Sequence, residues 1–149
     1  MSLQIAVLVA TVLVALTAAN AVRHLVAWPM RRDGSAVPIV RVRRYGVLLG
    51  TVEAGALVAL LIALFRVPSG STEMWLIGLA ALCVAGMMGI WGAWIRPLDI
   101  TMAKWLPEAL PPDWSHHHAR WSTFHRVRVM LAIIAIALVL MGLFARPAA

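Results

Sequence analysis

The sequence predicts an all-α protein: an integral membrane four-helix bundle with a short interfacial segment between helices 3 and 4, folded as one domain over residues 1–149. Three observations carry this. The 149 residues are 62% hydrophobic with a mean hydropathy of +0.89, a composition of membrane chains rather than soluble domains. Four long apolar segments are separated by polar ones. The basic residues are distributed with a strong bias between the connections.

Leu3–Val22 carries no charge. Ala19-Asn20-Ala21 resembles a signal-peptide cleavage site, but the positively charged start of such peptides is missing, so the segment reads as a retained first helix. Tyr45–Phe65 carries one charge, Glu53, and Met74–Ile95 carries none. Val129–Phe144 is short for a crossing, which needs about 20 residues. Counting back to His125 restores that length, and puts His125 and Arg128 within the last span or at its edge. Pro97 is expected to end or kink helix 3. Ile100 to Leu106 is expected to form the short interfacial helix, followed by a turn imposed by Pro107, Pro111 and Pro112. Asp113 is a good N-cap candidate, opening a fourth helix at Trp114 that runs about 30 residues, or roughly 45 Å.

Small residues recur at four-residue spacing in helices 2 and 3. Gly46, Gly50 and Ala54 form one row, Gly55, Ala59 and Ala63 another, and Ala81, Ala85 and Gly89 a third. Such rows let helices approach closely in lipid, within the chain or across a homo-oligomer seam. The connection after helix 1 holds Arg23, Arg31, Arg32, Arg41, Arg43 and Arg44. The region after helix 3 holds Arg96, Lys104, Arg120, Arg126 and Arg128. Only Arg66 and Arg146 lie on the other side. The positive-inside rule then places both large connections in the cytoplasm and both termini outside, in a multi-pass protein of the plasma membrane. The net charge of +7 reflects this topology and anionic lipid, and nucleic acid is not an expected partner. The single cysteine, Cys83, provides neither a disulfide framework nor a cysteine metal site.

The stretch from Pro97 to Arg128 concentrates acidic, histidine and tryptophan residues against the mouth of a span. By depth, Asn20 and His24 at the end of helix 1, Glu53 about 12 Å into helix 2, Asp99 past helix 3, and His125 and Arg128 at the start of the last span converge on one membrane level. An ionisable residue inside a span costs a few kcal/mol and faces the bundle interior. Glu53 is therefore either a proton carrier or general base, or a structural partner of Asn20, Thr51 or Arg128. His117, Trp121, His125 and Arg128 follow i, i+4, i+8 and i+11 spacing and share a helix face. Two imidazoles, an indole and a guanidinium suit an anionic or phenolic ring: histidine abstracts a proton and arginine holds the oxyanion. The alternative is an interfacial belt of anchoring Trp and snorkelling Arg. His116-His117-His118 point three ways on a helix and cannot all hold one ion, which leaves open a metal held by part of the tract with Asp113. No phosphate loop, nucleophile elbow or HExxH motif is present.

The pattern formed by Pro97, Asp99, Pro112, Asp113, Trp114, Arg120, Trp121, His125 and Arg128 resembles the anthrone oxygenase-like family of small four-helix membrane proteins. The resemblance covers about the last third of the chain, and Asp99 stands where the family usually has Asn. It implies an oxidoreductase, a monooxygenase of polyketide natural-product tailoring, converting a phenolic polycyclic compound to a quinone. It implies no cofactor, with dioxygen as co-substrate. In that scheme His125 is the base, or shares the role with Glu53 and Asp99. Arg128 and Arg120 hold the anionic oxygen, and Trp114 and Trp121 line the ring site, with His24, Asn20 and His117 around the substrate. Four alternatives stay open: a cyclase or isomerase on the same scaffold, a haem- or quinone-binding redox protein using His24 and His125, a small proton-coupled transporter using Glu53, and a purely structural or partner-binding membrane protein.

Overall fold

A computed structural model describes residues 3–26, 42–102, 104–105 and 110–144, with the backbone alone at 3, 4, 6, 20, 21, 23–26 and 42–49. The described residues are all-helical. Helix α1 spans Leu3–Val26, α2 Val42–Leu64 and α3 Thr72–Ile90. A π-helical turn, Trp91–Ile95, then leads into α4, Arg96–Met102, and α5 spans Trp114–Phe144. The four long helices pack in a ring: α1 against α2, α2 against α3, α3 against α5, and α5 back against α1.

Spacing explains which faces turn inward. Val7, Ala10 and Val14 of α1, Ala56, Ala59, Leu60 and Ala63 of α2, and Ala135 and Val139 of α5 recur every three or four residues and meet Ile77, Ala80, Ala81 and Val84 of α3 in one core. Half of these residues are alanines, so the backbones approach closely. The large aliphatic side chains go the other way. Leu8, Val12 and Leu16, Val58 and Leu61, Leu79 and Leu82, and Met130, Ile133 and Met141 are exposed. Thr72–Met102 and Trp114–Phe144 are each long and apolar enough to cross a membrane, and only 28% of the most apolar stretch of each is buried. A helix in the core of a soluble protein would be mostly buried.

The small-residue rows divide. Ala59 and Ala63 are buried, with Gly55 beside Leu13. On α3 the row fails: Ala81 is buried, but Ala85 and Gly89 are exposed. Four residues at about 100° each overshoot a full turn by about 40°. Two steps therefore carry the row off the buried face, which is Ile77, Ala80, Ala81, Val84 and Met87.

Between α2 and α3 the chain turns at Gly70, whose φ of +79° is left-handed. Ser71 caps α3, accepting from Met74 N at 3.2 Å. Pro97 does not end helix 3. In the π-helical turn the Arg96 N–H donates to Trp91 O, five residues back, and this widened turn accommodates a proline that brings no N–H of its own. The short helix therefore occupies Arg96–Met102 and is continuous with α3, rather than standing apart at Ile100–Leu106. Ala103 and Leu106 of that expected segment lie outside the described residues. Helix α5 begins at Trp114 as expected, with the Asp113 carbonyl accepting from His116 and His117 N–H. It continues unbroken through its polar third to Phe144.

Candidate active site

Helix α5 places Trp121, His125 and Arg128 on its inward face, exposed by only 2%, 4% and 5%. The spacing of four and then three residues follows the helical turn, and Ala132, Ala135, Val139 and Gly142 continue the same stripe. Polar groups are thus buried at one end of a stripe that is apolar for the rest of its length.

Trp121 and Arg128 each meet a partner from another helix. Arg128 Nη2 donates to Glu53 Oε1, and Glu53 is 2% exposed. Helices α2 and α5 are not neighbours in the ring, so this ion pair spans the interior. Arg128, one of the three partners considered for Glu53, pairs with it. Burying two charges costs several kcal/mol per ion before their attraction and hydrogen bonds offset it. The Nε of Arg128 is also buried and has no hydrogen-bond partner among the described residues.

Asp99 reaches the same place from α4. Its Oδ1 accepts a 2.8 Å hydrogen bond from Trp121 Nε1, and the Arg128 charge also acts on it. The Trp121 ring lies 4.1 Å from that of His125, centre to centre, tilted by 52°. Asp99, Trp121 and His125 therefore form a continuous string beside the Arg128–Glu53 pair. The expected convergence of α2, the end of helix 3 and α5 at one level is present for Glu53, Asp99, His125 and Arg128. The side chains of Asn20 and His24, the proposed α1 contribution and one half of the haem reading, lie outside the described residues.

The remaining candidates are peripheral. His118, not His117, stacks on Trp121, at 6.2 Å and 24°, and Trp114 packs beyond it at 6.3 Å. His117 sits on the flank, where its Nε2 is 3.2 Å from Asp113 Oδ2 and its ring packs on Trp105 at 5.6 Å. Both i−3 and i−4 neighbours can reach Trp121 on a helix, so sequence spacing alone could not choose between the two histidines. Arg120 is exposed, away from the buried face. Among the described residues no three His, Cys, Asp or Glu side chains gather as a metal-holding group.

An apolar wall adjoins the polar string. Ile95, Met102 and Trp121 form a buried cluster with Ile90, Trp91, Leu98, Trp105 and Phe124 packed against it, and Phe124 stacks on Trp94 at 5.6 Å. Sequence reasoning missed Ile95, Met102 and Phe124 as neighbours of the site. The π-helical turn is longer than the α-helical period and changes which side of the helix faces α5, so an α-helical projection cannot locate Ile95 and Met102. Phe124 joins them through the packing of α5 on that turn.

Chemically, the site offers an imidazole, a carboxylate, a guanidinium whose Nε–H has no partner among the described residues, and aromatic surface. A family model described as anthrone oxygenase matches residues 41–138, more than half of the chain. The match includes Glu53, Asp99, Trp121, His125 and Arg128. Neither the curated proteins nor the solved structures contain a match to this chain. With that match over more than half of its length, and with Asp99, Trp121, His125 and Arg128 of the resembling pattern gathered at the buried ion pair, the chain belongs to the anthrone oxygenase family.

Proposed function

We propose that this protein is a four-span membrane enzyme that oxidises an anthrone-type polycyclic phenol to the corresponding quinone with dioxygen. The observation that carries the reading is the string of Asp99, Trp121 and His125 beside the buried N–H of Arg128 that has no partner among the described residues. The reaction needs a base and an oxyanion holder next to aromatic surface, and that set is present in one place.

Membrane placement is supported by the outward-facing aliphatic side chains and by the aromatic residues at the ends. Helices α1 and α2, of 24 and 23 residues, exceed the about 20 residues that a crossing requires. Phe65, Trp75 and Phe144 are exposed near one end of the bundle and Trp94 near the other. Trp75 and Trp94 are about 28 Å apart along their helix at 1.5 Å per residue, close to the roughly 30 Å of hydrocarbon in a bilayer. The basic connections orient the site toward the cytoplasmic leaflet, with both termini outside.

In the proposed reaction His125, assisted by Asp99, removes a proton from the ring methylene, and Arg128 stabilises the negative oxygen that results. The carbanion adds dioxygen and, on taking up a proton, becomes a hydroperoxide. Loss of the remaining C–H proton with cleavage of the O–O bond gives the ketone and water. One dioxygen is consumed per quinone, and no cofactor is invoked. Trp121, Trp114 and the apolar wall hold the rings, and His117 and Arg120 lie at the entrance.

The test is oxygen uptake and quinone formation from 1,8-dihydroxyanthrone by the protein in nanodiscs, against empty nanodiscs to correct for autoxidation. Equal oxygen and quinone are expected, with His125→Ala about 10²-fold slower or more, the usual scale for a general base. A rate no higher than that of empty nanodiscs for the wild type would overturn the proposal.

A further inference from the structure

We infer that Glu53 is a positioning residue: it holds the Nη2 end of Arg128 so that the free Nε–H of the guanidinium binds the substrate's phenolic oxygen as an anion. The inference rests on the oxygenase reading for the identity of the ligand, but its geometry stands apart from the reaction.

Three observations lead to it. Glu53 is buried against a guanidinium that stays charged at any accessible pH. A proton placed on its carboxylate would cancel the charge paired directly with that cation in the interior, so Glu53 is poorly suited to be the base. Second, Arg128 is almost wholly buried and its Nε has no partner among the described residues. Buried donors are normally satisfied, so this N–H is left for a ligand. Third, the Arg128 charge also acts on Asp99, which is tied to Trp121 and through it to His125. One cation thus serves a fixed carboxylate on α2 and the proton-handling string on α4 and α5. The guanidinium is planar and rigid, so anchoring one terminal nitrogen limits the directions in which the Nε edge can point. A tie needed only for stability could be replaced by apolar side chains of similar volume.

The experiment uses 1,8-dihydroxyanthraquinone, a stable product-like chromophore whose visible band shifts when a phenol ionises, titrated into the full-length protein in nanodiscs. The wild type is expected to bind the probe with a raised phenolate fraction. Arg128→Gln and Glu53→Gln should each lower that fraction by about tenfold. The double variant should match Arg128→Gln alone, because Glu53 acts only through Arg128. Further loss in the double variant, or an unchanged band in Glu53→Gln, would overturn the inference.

Two variants cover the case in which a broken pair fails to fold. Glu53→Asp keeps the charge but withdraws it by one methylene, and should lower the phenolate fraction while the protein still melts cooperatively. A wild-type signal from it would overturn the inference. Glu53→Leu combined with Arg128→Met should restore folding without the phenolate signal; recovery of the signal as well would reduce the pair to a structural tie. If the anthrone is not oxidised but the probe behaves as described, the oxygenase reading falls and the role of Glu53 stands.

Discussion

The inward stripe of α5 has two halves of the same geometry and opposite chemistry. Trp121, His125 and Arg128 fill one half, and Ala132, Ala135, Val139 and Gly142 the other. All seven are buried at helical spacing. In the apolar half each position is satisfied by close packing, and the neighbouring helices contribute small or aliphatic side chains of their own. In the polar half, packing alone is not enough. Trp121 and Arg128 each take a specific partner, supplied from α4 and from α2 across the interior, and the His125 ring packs on Trp121. The apolar half sets how closely the helices approach, and the polar half is where polar and charged groups are buried against one another.

That contrast can be broken most directly at the ion pair. Arg128→Ala leaves Glu53 buried without its counter-charge and should destabilise the fold by about 3–5 kcal/mol. Thermal melting in detergent or nanodiscs reads this, and a wild-type melting temperature would mean that the pair is not buried as described. In the apolar half, Ala135→Leu overfills a position with no exposed surface and should cost about 1–3 kcal/mol. The contrast requires that its turnover per folded molecule stay near wild type; a loss matching that of His125→Ala would erase the distinction between the halves.

A finer test lies at Trp121→Phe, which keeps a ring beside His125 but removes the indole donor to Asp99. A stability loss of about 1–2 kcal/mol is expected, with a clear fall in turnover that the stability change does not explain. Normal turnover would separate Asp99 from the reaction. The smallest effect belongs to Gly89→Ala on the outer face of α3. An added Cβ there meets nothing within 4 Å, and alanine in place of glycine favours a helix by up to about 1 kcal/mol. Destabilisation would reveal that this face is covered by a further surface, such as a second copy of the chain.

Much of this was legible in the residues. Hydropathy marked the four long helices, and Asp113 marked the start of α5. The shared face of Trp121, His125 and Arg128 followed from the helical period, as did the need for Glu53 to turn inward. These are local properties, set by neighbouring residues and by the cost of placing a charge among apolar ones. Where the reading depended on exact angle it failed: the Ala81, Ala85 and Gly89 row drifted off the buried face, and His118 rather than His117 met Trp121.

The sequence by itself determined the helical class, the apolar segments and the set of polar residues that had to find partners. The tertiary structure alone decided the pairing. Glu53 and Arg128 are 75 residues apart in the chain, and Asp99 and Trp121 are 22 apart. No local period links such positions, because their meeting depends on the order of the helices in the ring and on a π-helical turn that carries α3 past Pro97. A carboxylate in an apolar helix announces that it needs a counter-charge, but only the packing of distant helices determines which cation supplies it.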